Sequence, residues 1–136
     1  MAEDAVAVGV RRLIFLSSIG VLGHTTSGRE PFSARDRPAP AGDYAVSKWE
    51  AEQELADVSR LTKIETVIVR PPLVYGFDAP GNFCRLMKLI ESGVPLPFGC
   101  VRNSRSLVGI GNLVDMLVRC AWHPAATGKT FLISDG

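Results

Sequence analysis

Tyr44 and Lys48 stand four residues apart in Tyr44-Ala45-Val46-Ser47-Lys48, a segment that reads as the start of a helix. Residues at i and i+4 share one face of a helix, so the phenol and the ammonium point the same way. A cation beside a phenol favours the phenolate. The pair is therefore a candidate acid/base couple that takes and returns a proton. A surface tyrosine beside a surface lysine has the same spacing, and the neighbouring elements must decide between the two. Ser17 and Ser18 also carry chemistry, closing the apolar run Leu13-Ile14-Phe15-Leu16 ahead of Gly20 and Gly23. In open α/β sheets ligands sit outside the carboxyl ends of the strands, which is where these hydroxyls fall. A strand ending in a plain Ser/Gly turn is the alternative.

The elements that must position these groups follow from pattern. Ala2 to Gly9 reads as the tail of a helix with Gly9 as its C-cap. Leu13 to Leu16 suits a strand buried on both faces of a parallel sheet. His24 to Gly42, with three prolines and several charges, is a loop. Asp43 is the expected N-cap of the following helix. Glu50, Glu52 and Glu54 are strong helix formers there, and Ala51, Leu55 and Val58 continue the face begun by Tyr44 and Lys48. Ile64 to Val69 is a second buried strand rich in β-branched residues. Strand, helix and strand make one βαβ unit. Arg70-Pro71-Pro72 is a rigid strand exit, because proline fixes φ and removes a donor. Leu73 to Gly76 and a Pro/Gly loop follow.

Asn82 to Ser92 reads as a helix whose apolar face is Phe83, Leu86, Met87, Leu89 and Ile90, ended by Gly93. Pro95 to Gly99 is a turn or short edge strand, and Ser106 to Val108 a short strand. Gly111 to His123 is the most periodic helix, capped near Gly111 or Asn112, with Leu113, Val114, Leu117, Val118 and Ala121 inward. Thr130 to Ile133 reads as a last strand.

Composition narrows the function classes. The chain has 136 residues, 15 basic against 14 acidic, and a net charge of +1. That balance, with no basic run, argues against a nucleic-acid partner. No apolar run reaches the ~18 residues of a membrane span, and the first ten residues lack a signal-peptide pattern. Cys84, Cys100 and Cys120 are widely spaced. They suit free thiols in a reducing, cytoplasmic compartment, with Cys84 and Cys100 as packing residues. No Cys, His and carboxylate cluster has metal-ligand spacing, so no metal is expected.

The order of these features is specific. Ser-Ser-x-x-Val-x-Gly ends the first strand, Tyr-x-x-x-Lys opens a helix, Arg-Pro-Pro-x-Val-Tyr-Gly ends the second strand, and Arg-Ser-Leu-Val-x-x-x-Asn-Leu-Val-Asp follows. Together they resemble the extended short-chain dehydrogenase/reductase family of NAD-dependent epimerases and dehydratases acting on nucleotide sugars. UDP-glucose 4-epimerase-like and UDP-N-acetylquinovosamine 4-reductase-like members are the nearest in pattern. The resemblance implies an α/β fold: the C-terminal part of a Rossmann-like, doubly wound parallel sheet plus part of a small substrate-binding region. It assigns residues 1–76 to the cofactor-binding half and 77–136 to substrate-binding elements with a returning helix and strand.

The resemblance also implies roles. Ser18, Tyr44 and Lys48 match the catalytic residues, with Tyr44 the base and Lys48 also holding the nicotinamide ribose. Ser17, Tyr44, Lys48, Pro71, Pro72 and Val74 match the cofactor side. Ser18, Asn82, Phe83 and Arg105 match the substrate side, with Arg105 on the diphosphate through forked, charge-assisted hydrogen bonds. NAD is the implied cofactor, with NADP open, a UDP-hexose the implied substrate class, and a homodimer the implied assembly, in which Trp49 can serve.

Two departures qualify this. Leu22 stands where many 4-epimerases carry tyrosine, which leaves room for a 4-ketoreductase. The chain also holds no Gly-x-x-Gly-x-x-Gly turn of the kind that cradles a dinucleotide pyrophosphate at a helix N-terminus. It therefore reads as the middle-to-C-terminal part of a longer enzyme. Weak NAD binding and self-association through an open sheet edge are the expected consequences. A nucleotide-sugar-binding or interaction module without turnover is the competing reading.

Overall fold

A computed structural model describes residues 2–76, 82–93 and 104–135. In chain order the elements are α1 (Ala2–Ala7), β1 (Arg12–Leu16), α2 (Asp43–Leu61), β2 (Glu65–Arg70), β3 (Leu73–Tyr75), α3 (Asn82–Glu91), β4 (Leu107–Gly109), α4 (Ile110–Trp122) and β5 (Thr130–Leu132). Short 3-10 turns lie at Ile19–Leu22 and Pro124–Ala126.

The Thr-Val-Ile-Val run of β2 makes it the centre of a three-stranded parallel sheet in the order β1-β2-β5. Leu13 pairs with Thr66 and Leu16 with Val69 on one side, and Arg70 with Leu132 on the other. Val67 and Val69 are fully buried. Each such side chain contributes about 1.5–3 kcal/mol relative to exposure. Among the described residues β1 pairs only with β2. That explains why it is half buried, with Leu16 40% exposed, and not covered on both faces as its apolar run suggests.

A separate two-stranded parallel sheet pairs Val74 of β3 with Val108 of β4. The sequence did not predict this pairing, since three-residue strands carry almost no periodic signal. Val108 is fully buried and joins one core cluster with Val67, Val69, Leu113, Cys120 and Ala126. Gly76 ends β3 against α4, where a Cβ would meet Ile110 Cγ2 at 2.5 Å. Only glycine allows that approach.

Helix boundaries correct several expectations. Gly42, not Asp43, is the N-cap of α2, with φ 85° and ψ 151°. That backbone region is essentially restricted to glycine. Asp43 instead sits in the first turn, where its charge suits the helix dipole. The buried stripe of α2 is Ala45, Glu52 and Leu55, while Ala51 and Val58 are half buried and Tyr44 is 65% exposed. α4 is capped by Gly109, two to three residues earlier than read, and its inward side is Leu113, Met116, Leu117 and Cys120. Val114, Val118 and Ala121, read as inward, face out with Ile110 and Trp122; Val114 and Val118 are about half exposed and Trp122 is 83% exposed. Both stripes are apolar at helical spacing, so periodicity could not choose between them. In α3, Met87, Leu89 and Ile90 are 40–50% exposed, not an inward face. The expectations for Pro95 to Gly99 and for Cys100 lie outside the described residues.

Arg12 closes the C-terminus of α4. Its guanidinium donates to the carbonyls of Cys120, Ala121 and His123, to Thr127 Oγ1 at 2.8 Å and to Glu65 Oε2 at 2.7 Å. Helix-end carbonyls that lack partners within the helix are thereby satisfied. No helix among the described residues is long and apolar enough to cross a membrane.

Candidate active site

The exits of β1 and β2 run side by side beyond the regular sheet. Ser17 N donates to Val69 O at 2.8 Å and Ile19 N to Pro71 O at 2.9 Å, so Ser18 is held between two pinned neighbours. Its Oγ accepts from Gly20 N at 3.1 Å and caps the 3-10 turn. Ser18 therefore sits at the carboxyl edge of the sheet, in an extended backbone and half buried.

α2 lays one ridge over this edge. Tyr44, Lys48 and Glu52 recur every four residues along it. Lys48 Nζ donates to Leu16 O at 3.0 Å. The ammonium also lies 5.0 Å from the centroid of the Phe15 ring and 5.9 Å from that of Tyr44, within cation–π range. The structure thus brings Tyr44 and Lys48 together, at the strand end that leads into Ser17 and Ser18.

Glu52 is the element the sequence did not reveal. Its carboxylate is 2% exposed and takes both Nε and an Nη of Arg70, at 2.9 and 2.5 Å. It also accepts from Ser17 Oγ at 2.5 Å. Ser17 is 3% exposed and spends its hydroxyl inside the protein, away from the open edge. Glu52 looks like one of three helix-forming glutamates in sequence. Its i+4 spacing from Lys48, and an arginine ending the partner strand, were the available signals. Removing one member of such a buried pair costs about 3–5 kcal/mol, because the other charge is left uncompensated.

Of the strand-exit residues, Pro71 is buried, Pro72 is half buried and Val74 packs against the core. A cavity of about 620 Å³ opens beside them, lined by Ile19, Pro72, Leu73, Arg105 and Ile133. The loop after β1 contributes His24 to Ser27 and Phe32 to its wall. Arg105 thus shares a cavity with the neighbours of Ser18, while Tyr44 and Lys48 are not part of its lining. Asn82 begins α3, and the side chains of Asn82, Phe83 and Cys84 lie outside those described.

A carboxylate clamp joins β3, β4 and α4 to the chain after β5. Asp135 Oδ1 accepts from Asn112 Nδ2, and Oδ2 from Tyr75 Oη and Gly109 N, each at 2.8 Å. These bonds, the Asn112 amide first, hold the Asp135 carboxyl below the usual carboxylate range. The same contact pushes the Tyr75 phenol up. Asn112, expected near a helix cap, instead ties α4 to the chain after β5. Burial pushes the Cys120 thiol up, which keeps it an unreactive core residue.

Residues 1–134 match one family model: the chain belongs to the NAD dependent epimerase/dehydratase family. It is 47% identical over 137 residues to UDP-glucose 4-epimerase of Vibrio cholerae, covering 100% of this chain and 42% of the relative. It is 31% identical over 111 residues to N-acetyl-alpha-D-glucosaminyl-diphospho-ditrans,octacis-undecaprenol 4-epimerase of Escherichia coli O157:H7, covering 80% of this chain and 33% of that protein. The fold matches the crystal structure of UDP-glucuronic acid 4-epimerase from Bacillus cereus in complex with UDP-glucuronic acid and NAD. There the TM-score is 0.85 at 23% identity, over 99% of this chain and 43% of the other. The chain spans less than half the length of the relatives it matches.

Proposed function

We propose that this chain carries the catalytic groups of an NAD-dependent nucleotide-sugar 4-epimerase acting on a UDP-hexose. The observation that carries the reading is the seating of Lys48 between the Tyr44 ring and the Leu16 carbonyl, at the strand end that delivers Ser18. The similarity to the Vibrio cholerae UDP-glucose 4-epimerase supports the same substrate class.

The residues present fit the nicotinamide-ribose end of NAD. Tyr44 is open to solvent and Lys48 offers a cation beside it at a parallel-sheet edge. Pro71, Pro72 and the Ser17 segment form the adjoining strand exits, and NADP would meet the same groups. When bound, NAD supplies the hydride acceptor and donor for the sugar C4. Tyr44 removes the 4-hydroxyl proton as C4 is oxidised and returns it on reduction. Lys48 holds its ammonium beside the Tyr44 ring in that exchange. Ser18 Oγ hydrogen-bonds the reacting sugar oxygen. Arg105 pairs with the substrate diphosphate across the cavity, with Asn82 and Phe83 on the nucleotide.

The test is turnover of UDP-glucose to UDP-galactose by the protein carrying this chain, with Tyr44→Phe as the control. A second reading, a 4-ketoreductase, is favoured by Leu22, which is 3% exposed where many epimerases carry tyrosine. Consumption of NADH or NADPH with a UDP-4-ketohexose, and no interconversion of UDP-hexoses, would establish it. The open edge of β1 supports self-association into a homo-oligomer, and sedimentation as a clean monomer would contradict that. The buried free thiol of Cys120 is consistent with a cytoplasmic setting.

A further inference from the structure

We propose that Glu52 and Arg70 are positioning residues for the Tyr44–Lys48 pair, setting through Ser17 the height at which α2 meets the ends of β1 and β2. The inference rests on the reading of Tyr44 and Lys48 as the working groups. It is carried by the buried polar network beneath them.

Two rungs join the ridge of α2 to the strand ends. The upper one is a single hydrogen bond from a flexible side chain, Lys48 Nζ to Leu16 O. The lower one is rigid. Arg70 grips both oxygens of Glu52 in a fork, and Ser17 Oγ donates to one of them. The three residues are 2–4% exposed, and they are the buried polar residues among those described. Their places in the chain matter as much as their burial. Ser17 follows the carbonyl that receives Lys48 and precedes Ser18. Arg70 precedes Pro71, whose carbonyl receives Ile19 N. The network therefore touches α2 one turn below Lys48, β1 one residue before Ser18, and β2 one residue before the Pro71 exit.

Stability alone does not account for such a pair. Well-packed apolar residues of similar volume often serve a fold as well or better. Apolar packing tolerates sliding along a ridge, whereas a bidentate guanidinium–carboxylate fork has one register. Fixing that register fixes where Lys48 and Tyr44 stand relative to Ser18.

The test reads geometry directly. In the parent, the Phe15 and Tyr44 rings that flank the ammonium are expected to shift the Lys48 ε-methylene resonances. Nuclear magnetic resonance of the parent, Ser17→Ala and Glu52→Gln follows those signals together with the β2 amides. The expected result is folded variants in which the β2 amides keep their pattern while the Lys48 signals move toward free-lysine values. In the assembled enzyme kcat then falls by about 10- to 100-fold with KM for the nucleotide sugar nearly unchanged, the scale of a displaced catalytic group. Ser17→Ala leaves the ion pair intact, so it decides the matter if Glu52→Gln fails to fold. Folded variants that lose stability but leave the Lys48 signals in place would overturn the proposal. Moved Lys48 signals in a protein that turns over no UDP-hexose even as parent would support the positioning role and count against the epimerase reading.

Discussion

Arg70 holds both carboxylate oxygens of Glu52 inside the protein, with 4% and 2% of the two residues exposed. They lie 18 positions apart in the chain, on β2 and α2. Arg70→Met leaves the Glu52 charge buried without its partner and is expected to lower stability by about 3–5 kcal/mol. The double variant Glu52→Leu with Arg70→Met is expected to recover most of that loss. Urea unfolding of the single and double variants measures both. A double variant no more stable than Arg70→Met would contradict this.

Asp135 provides the pH dependence. Its carboxyl, held low by Asn112, Tyr75 and Gly109, has a folded pKa below its unfolded value of about 3.9. The sign follows from linkage. The stabilisation is fully present above the unfolded pKa and is lost as pH falls through the folded one. Thermal midpoints measured from pH 6 down to pH 2 should fall more steeply for the parent than for Asp135→Asn. Glu65, lowered mainly by Arg12 and then by Thr127, adds to the same acid limb in both proteins. Parallel curves would sink this assignment.

Gly42 sets the entry of α2, at φ 85° and ψ 151°. Gly42→Ala forces a side chain into that region and should cost about 1–3 kcal/mol. Because Tyr44 lies two residues on, the same change should also lower activity in the assembled enzyme. An unchanged melting temperature would mean the helix start relaxes freely.

Binding of NAD to this chain alone should be weak, since no Gly-x-x-Gly-x-x-Gly turn is present in it to hold the pyrophosphate. Calorimetric titration should show no saturation at micromolar NAD. A tight, stoichiometric isotherm would contradict the assignment of Tyr44 and Lys48 to the nicotinamide end only.

Much of this layout was legible from local pattern. The β-branched run of β2 is its own signal, and the four-residue spacing of Tyr44 and Lys48 does place them together. What escaped depends on partners distant in sequence. Glu52 reads as a solvated helix former until Arg70 and Ser17 close over it. α4 offers two apolar stripes, and only the sheet beneath selects Leu113 and Cys120 over Val114 and Val118. The α2 cap is set by a glycine dihedral that residue type alone only permits. The Asp135 clamp joins β3, β4 and α4 through a residue at the end of the chain, which no window of sequence contains.

The central claim is that Tyr44 is the proton-transferring group, set by Lys48 at the edge where Ser18 stands. The most direct measurement is interconversion of UDP-glucose and UDP-galactose by the protein carrying this chain at saturating NAD, parent against Tyr44→Phe. Loss of a positioned acid/base group should lower kcat by about 100- to 10,000-fold, with the fold unchanged by circular dichroism. A Tyr44→Phe protein that turns over at the parent rate would contradict the account.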